Sequence, residues 1–337
     1  MNLTLNQIEK ITTGAERVKE NDNLIRFYRF TEEQEELYKR RNADFYKKTF
    51  STAGIRLSFK TDSEKLYLSG SVFSGSSRSY YSVDVFVNKK MIGCIDNFNE
   101  SEMKENYSAK ACPTEDFSKE FMLGKGEKEV EVYFPWSVGI GLKNIKIDDN
   151  SFIEPVKRSK KLLAFGDSIT QGYDALRPSR RYVSLLSEKL GAEEINKAIG
   201  GEVFFPGLAE SEEAYIPDYI IVAYGTNDWS RLGKDEFDKN CKAFYEALSK
   251  KYLSSKIFAI TPIWRKDLHE ESKVGAFSYI EEYIKEVTSK LENVTFISGY
   301  DFVPEDEAFY GDLKLHPNDM GFSKHYENLY NKMKKYL

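Results

Sequence analysis

Four short polar segments in the second half of the chain carry side chains that could do chemistry. The first includes Gly166, Asp167 and Ser168 and directly follows an apolar run, so a hydroxyl stands where a predicted strand gives way to a helix. A helix N-terminus favours developing negative charge, although a serine here could also serve only as the helix cap. The other segments, which supply glycine, asparagine and histidine, are residues 196–201, 225–228 and 312–319.

The histidines narrow the choice of a partner for Ser168. A serine hydroxyl is a poor nucleophile until a nearby base takes its proton, and imidazole suits this task because it titrates near neutral pH. The chain has three histidines. His316 is the candidate base, whereas we expect His325 to be an exposed residue of the last helix and His269 to lie in a solvated loop.

The elements that must position these residues follow a strand–loop–helix rhythm. Between the strands, apolar residues recur at helical spacing, as in Phe237, Cys241, Phe244 and Leu248. This alternation predicts a parallel sheet with helices on both faces, and ligands of such sheets bind at the carboxyl ends of the strands. Buried strands are predicted at residues 162–165, 218–224, 256–260 and 294–297.

The first half of the chain has a different pattern. Several short runs alternate apolar and polar residues, which is typical of half-buried strands and predicts an antiparallel β-sandwich of jelly-roll-like form. The residues from Thr31 onward predict a short charged helix or an extended arm. The basic stretch 157–161 is a candidate linker, so we predict an N-terminal domain of residues 1–158 and a catalytic domain of residues 159–337. The alternating runs are 55–60, 65–68, 81–87, 129–133 and 142–147.

The four polar segments, taken in this order, resemble those of the SGNH (GDSL-type) hydrolase family, whose blocks carry Ser, Gly, Asn and His. The resemblance covers roughly residues 160–337 and implies a flavodoxin-like three-layer α/β/α domain. It implies that Ser168 is the nucleophile and His316 the base. The implied oxyanion donors are the backbone N–H groups of Ser168 and Gly201 and the side-chain amide of Asn227, and one such donor is typically worth about 10²–10³ in rate.

One position departs from the family pattern. The family places an aspartate three residues before the histidine, but Leu313 occupies that position and Asp312 lies four residues before His316. Two arrangements remain open. Asp312 orients the imidazole through a shifted loop, or a backbone carbonyl does so and the machinery is a Ser–His dyad.

The order of a β-sandwich and an SGNH domain is similar to carbohydrate esterase family 2, the acetyl-xylan and acetyl-mannan esterases. The resemblance implies an O-acetylesterase acting on oligosaccharides derived from xylan or mannan. Trp229 and Trp264 follow predicted strands, and their aromatic faces would suit sugar rings, although simple packing explains either one equally well. The alternatives are a general short-chain esterase, lipase or thioesterase, and a carbohydrate-binding protein with a degenerate hydrolase domain.

The composition of the chain argues against several other classes of protein. The chain of 337 residues has a net charge of −5, which argues against a dedicated nucleic-acid binder and a polybasic membrane anchor. Three cysteines without CxxC spacing and no HExxH motif predict no metal and no cofactor.

The N-terminus lacks the apolar core of a signal peptide, so we expect a cytoplasmic enzyme that deacetylates imported oligosaccharides. The sandwich is expected to be structural rather than a separate sugar-binding module, and the oligomeric state stays open.

Overall fold

Short antiparallel strands make up most of the N-terminal half of the computed structural model, which describes residues 1–104 and 106–337. Three helices accompany them: α1 (Leu5–Ile11), α2 (Glu32–Arg41) and α3 (Ala43–Thr49). The strands are β1 (Thr12–Thr13), β2 (Arg17–Asn21), β3 (Leu24–Tyr28), β4 (Arg56–Thr61), β5 (Lys65–Ser74), β6 (Ser82–Val87), β7 (Lys90–Asp96), β8 (Phe117–Met122), β9 (Lys128–Tyr133), β10 (Val138–Ile147) and β11 (Glu154–Pro155).

These strands form two sheets that pack face to face as a β-sandwich. One sheet has the order β1-β4-β9-β6-β7 with β11 also paired to β4, and the other has the order β2-β3-β10-β5-β8. Alternate residues point into the core between them, such as Leu57 and Phe59 from the first sheet and Leu66 and Leu68 from the second. The predicted sandwich is confirmed. Strands β2, β3, β7 and β8 were not predicted, because their partly exposed residues show no regular alternation of apolar and polar types.

Helix α2 settles the question of a helix or an arm after Thr31. The Thr31 side chain accepts from the backbone N–H of Gln34, and the Gln34 side chain accepts from the backbone N–H of Thr31. This reciprocal capping box stabilises a helix start. The helix reaches the other half of the chain, since the buried ring of Tyr38 packs on Phe205.

The C-terminal half is built on a parallel five-stranded sheet of order β13-β12-β14-β15-β16. This is the predicted flavodoxin-like order, in which the first strand of the sheet lies next to the second and the third. The strands are β12 (Lys160–Gly166), β13 (Ala192–Asn196), β14 (Tyr219–Ala223), β15 (Lys256–Ile260) and β16 (Val294–Ile297). The helices are α4 (Ser168–Gln171), α5 (Tyr182–Leu190), α6 (Pro206–Glu210), α7 (Thr226–Arg231), α8 (Lys234–Lys251), α9 (Ser278–Thr288) and α10 (Asp319–Met333).

Each face of this sheet is covered by its own apolar core. In β14, Ile220 and Val222 point into one core while Tyr219 and Ile221 point into the other. Strands buried on both faces read as continuous apolar runs, which is why the sequence revealed them. The predicted apolar stripe of α8 is fully buried against the first core.

The chain crosses between the two halves where the linker was predicted. There Arg158 forms ion pairs with Glu131 of the sandwich and Glu188 of α5, so charges anchor the crossing segment to both halves. The boundary near residue 158 stays a prediction. Within residues 1–104 and 106–337, no helix combines the length and the apolar character needed to cross a membrane.

Candidate active site

Ser168 follows strand β12 after one intervening residue and is the first residue of α4. Asp167 is the cap of this helix, because its side chain accepts from the backbone N–H of Ile169 at 2.9 Å. The hydroxyl of Ser168 is therefore not used as a cap. Gly166 permits the tight turn, since a Cβ there would lie 2.3 Å from Oγ1 of Thr170. Burial raises the pKa of Asp167 to about 6.

The imidazole of His316 reaches this hydroxyl from the segment that precedes α10. Its Nε2 lies 2.9 Å from Oγ of Ser168, which is hydrogen-bond distance. The ring of Tyr173 stacks on the imidazole with 5.5 Å between ring centroids. Such contact between a hydroxyl and an imidazole is the arrangement needed to activate a serine.

Asp312 occupies the other side of the imidazole. Its Oδ2 lies 2.7 Å from Nδ1 of His316, and its Oδ1 accepts from the backbone N–H groups of Lys314, Leu315 and His316 at 2.7–3.0 Å. Burial opposes ionisation of Asp312, but the hydrogen bonds and the charge of His316 prevail and lower the pKa of Asp312 below its ordinary value.

The backbone conformation of one residue allows Asp312 to reach His316 despite the unusual spacing. Leu313 has φ +56°, in the left-handed region, and this tightens the turn so that a carboxylate four residues back meets the ring. Of the two arrangements that the sequence left open, the structure shows the carboxylate on the imidazole.

The predicted oxyanion donors lie at the ends of three adjacent strands. Ser168 follows β12, Gly201 lies in the loop after β13, and Asn227 lies in α7 after β14. Gly201 has φ +88°, a conformation that glycine adopts without strain. The Asn227 amide donates to the carbonyl of Glu202 at 3.1 Å, which ties α7 to the loop that carries Gly201. Within residues 1–104 and 106–337, Glu202 is the one acceptor found for this amide.

The loop at residues 196–201 is held by the N-terminal half of the chain. Arg29 is completely buried and donates to the carbonyls of Asn196 and Ala198, both at 2.9 Å. Lys48 donates to the carbonyl of Gly200 at 2.9 Å. No sequence pattern indicated these contacts, because the acceptors are backbone atoms that any residue would supply.

Arg231 is another neighbour that sequence reasoning missed. Its guanidinium donates to the carbonyl of Gly201 at 2.6 Å, and a Cβ at Gly201 would lie 3.0 Å from it. A Cβ here would meet only the flexible end of the Arg231 side chain, so the positive φ of Gly201 is what favours glycine. The contact places a cation beside the predicted oxyanion donors.

The predicted position of Trp229 at the rim of the site is wrong. Its side chain is 3% exposed, donates to the carbonyl of Gly275 at 2.9 Å and packs on Phe277. The ring therefore belongs to the core, because following a strand end does not determine which way a side chain points. Trp264 is half-buried against Tyr310 and remains a candidate sugar contact.

The other two histidines differ from each other. His325 was expected to be exposed, but it is 2% exposed and its ring stacks on Tyr182 at 3.9 Å. Burial lowers its pKa to about 3, so it stays neutral and packs as a core residue. His269 is exposed in a loop, as predicted.

One cluster in the part of the chain that the structure describes has donor atoms close enough to hold a metal ion. It consists of Asp174, Asp312 and His316, with the donor atoms within 4.8 Å of one another. Both ring nitrogens of His316 in this cluster are already engaged, with Ser168 and with Asp312.

Comparisons with known proteins agree with this geometry. Residues 164–323 match the model of the GDSL-like Lipase/Acylhydrolase family, the family that the four polar segments resemble. The matched segment includes the serine, glycine, asparagine and histidine described above. No curated protein matches the chain at a significant level.

Solved structures match over both halves of the chain. A salicylyl-acyltransferase from a tetracycline biosynthetic pathway matches with a TM-score of 0.78 and 18% identity, over 96% of this chain and 94% of that one. A putative GDSL-like lipase from Bacteroides ovatus matches with 0.78 and 20%, over 99% and 97%. An acetyl xylan esterase from Butyrivibrio proteoclasticus matches with 0.66 and 14%, over 100% and 98%. Family two carbohydrate esterases also match, with TM-scores of 0.63–0.67. At these identities the likeness establishes the fold.

Proposed function

We propose that this acylhydrolase is a serine esterase that removes O-acetyl groups from acetylated oligosaccharides derived from xylan or mannan. The observation that carries the proposal is the continuous contact from Asp312 through His316 to the hydroxyl of Ser168, at 2.7 and 2.9 Å. This is the order of groups that activates a serine for acyl transfer.

In the proposed reaction each of these groups has one role. Oγ of Ser168 attacks the acetyl carbonyl carbon while its proton passes to Nε2 of His316, and the carbonyl oxygen becomes an oxyanion facing the N–H groups of Ser168, Gly201 and Asn227. The intermediate expels the sugar oxygen, which takes the proton from His316. Water then gives a proton to His316 and attacks the acetyl-serine, which releases acetate and restores the Ser168 hydroxyl.

The carbohydrate part of the proposal is supported by architecture. The likeness to family two carbohydrate esterases extends over the β-sandwich as well as the catalytic half, and Trp264 offers a half-buried ring in the loop next to His316. Lys266 in the same loop donates its backbone N–H to the carbonyl of Lys314 at 3.0 Å, so this loop contacts the turn at residues 312–316.

Labelling with a fluorophosphonate probe tests the nucleophile. We expect the wild type to become labelled at Ser168 and Ser168→Ala to stay unlabelled with an unchanged melting temperature. A folded wild-type protein that takes up no label would contradict an esterase and favour a carbohydrate-binding protein with a degenerate hydrolase domain.

Aryl esters of increasing chain length test the acyl group. An acetylesterase should prefer acetate and lose activity with longer acyl chains, because a site shaped for acetyl has no room for additional methylenes. A preference for long-chain esters would instead indicate the lipase or thioesterase alternative. We also propose a cytoplasmic location, which cell fractionation tests.

A further inference from the structure

A second carboxylate lies behind the imidazole of His316. Oδ2 of Asp174 is 3.9 Å from Nδ1, the same ring nitrogen that contacts Asp312. The Asp174 side chain is fully buried, and among the described residues its Oδ2 has no hydrogen-bond donor. A buried, undonated carboxylate oxygen costs free energy, and a positive charge on the imidazole would compensate it.

The other oxygen of Asp174 is held by the β-sandwich. Oδ1 accepts from the Tyr80 hydroxyl at 2.6 Å and from Nε of Arg78 at 2.9 Å. Burial works against the charged form of Arg78, but Asp174 prevails and raises the pKa of Arg78 above its ordinary value. Arg78 therefore stays cationic and partly offsets the charge of Asp174.

The backbone around Asp174 is fixed as firmly as its side chain. Asp174 has φ +68°, which is strained for a residue with a Cβ. Its carbonyl accepts from the hydroxyl of Tyr107 at 2.5 Å. A Cβ at Gly311 would lie 2.7 Å from that of Asp174, and the N–H of Gly311 donates to the carbonyl of His316 at 2.8 Å. The strained residue thus packs directly on the turn that carries the imidazole.

We propose that Asp174 is a positioning residue that stabilises the protonated form of His316, and that Arg78 and Tyr80 of the β-sandwich set the strength of this effect. The inference rests on the proposed function, in which His316 accepts the proton of Ser168. Before His316 takes the proton of Ser168, nothing on its ring offsets the two carboxylates, which repel each other. Once His316 is protonated it attracts both. An interaction that is stronger in the transition state than in the ground state raises kcat.

The surroundings of the imidazole contain other titratable and charged groups, which stay unchanged in the comparison below. These groups lie in the turn that carries His316, in the residues that precede and follow Ser168 at the start of α4, in the N-terminal half, in α7 and α10, and in the loop after β15. They are Asp312, Lys314, Asp167, Tyr173, Tyr107, Arg231, Asp319, Arg265 and Asp267.

The test compares two variants that change the charge near His316 in opposite directions. The substrate is an aryl acetate, and kcat/KM is measured as a function of pH. Asp174→Asn should move the acid limb of the profile to lower pH by about 0.5–1 unit and reduce kcat about 10-fold. Arg78→Met should move the limb to higher pH, because the charge of Asp174 is no longer offset. A purely structural role would not produce shifts of opposite sign.

Two further variants keep the test decisive. Arg78→Lys retains the charge and should restore the wild-type limb. Tyr80→Phe removes a donor to Asp174, so it should shift the limb upward by less than Arg78→Met, and together these variants decide the matter if Asp174→Asn does not fold. Unmoved limbs in folded variants, or shifts of the same sign, would overturn the inference. Failure of the proposed function is distinguishable, because the wild type itself would then show neither turnover of the aryl acetate nor labelling of Ser168.

Discussion

At the scale of single residues, the site depends on a few contacts between side chains distant in sequence. Ser168 and His316 are 148 positions apart, and their contact is the central one. Asp312 is fixed by three backbone N–H groups before it meets the ring. An aspartate held in this way fixes the tautomer and orientation of the imidazole and stabilises its charged form.

Replacing Asp312 with asparagine tests this role. Asp312→Asn keeps the size of the side chain but removes the charge, so kcat for an aryl acetate should fall by about 10²–10⁴-fold while KM changes little. Steady-state kinetics measures this, and Asp306→Asn, in an exposed turn, controls for loss of one negative charge. Activity within about 2-fold of wild type would assign the orientation of His316 to other groups, which is the dyad arrangement.

At the scale of elements, the turn at residues 312–316 and the start of α10 carry the unusual features of the fold. Leu313 adopts φ +56°, where a residue with a Cβ is strained. Asp319, in the first turn of α10, accepts from the backbone N–H of Leu176 at 2.9 Å. That contact ties α10 to the segment that follows Asp174.

The left-handed turn predicts a specific pattern of tolerance at Leu313. Leu313→Asn should change the free energy of unfolding by less than about 1 kcal/mol, because asparagine tolerates this conformation. Leu313→Val should lower it by about 1–2 kcal/mol and reduce kcat, because a β-branched residue resists a positive φ. Denaturant unfolding and kinetics measure both, and equal effects of the two substitutions would contradict a left-handed residue here.

Asp319 predicts a pH-dependent effect on stability. Burial raises its pKa to about 7, above the ordinary value of an aspartate near 4. The free energy of unfolding therefore falls as the pH rises from about 4 to about 7, because the unfolded state loses this proton first, and it levels off above about 7. Asp319→Asn retains an acceptor for Leu176, so it should raise the free energy of unfolding by about 1–2 kcal/mol more at pH 8 than at pH 5. A gain that is larger at pH 5 would contradict the assignment.

At the scale of the whole molecule, the two halves of the chain share one site. The N-terminal half supplies Arg78 and Tyr80 to the environment of His316, and Arg29 and Lys48 to the loop that carries Gly201. The division near residue 158 stays a prediction, and side chains from the N-terminal half contact the loops of the site.

Arg29 provides a direct test of this dependence. It donates five hydrogen bonds, to oxygens of Lys48, Ser51, Asn196 and Ala198. Arg29→Met leaves these oxygens without their donor, so the free energy of unfolding should fall by about 3–5 kcal/mol and kcat should decline as the loop shifts. Arg26→Met is the matched control, since this guanidinium covers the ring of Phe73, and it should cost less than about 1 kcal/mol. Equal losses in the two variants would contradict the bridging role.

The sequence predicted the parts of the molecule that local patterns encode. The parallel strands are buried on both faces, so they appear in the sequence as continuous apolar runs. The four polar segments indicated the family and the candidate residues of the site. Contacts to backbone atoms, such as those of Arg29, leave no pattern, and Asp174 depends on a positive φ that the sequence does not reveal. Trp229 was misplaced because its position after a strand does not specify whether the ring faces the cleft or the core.

The measurement that tests the central claim most directly is mass spectrometry of acetylated xylo- and manno-oligosaccharides incubated with wild type and Ser168→Ala. The account predicts that the wild type lowers the mass of each oligosaccharide by one C₂H₂O unit per acetyl group removed, with release of acetate, and that Ser168→Ala leaves the masses unchanged. Unchanged masses with a wild type that still cleaves long-chain aryl esters would contradict the carbohydrate substrate. Deacetylation that persists in Ser168→Ala would contradict the nucleophile.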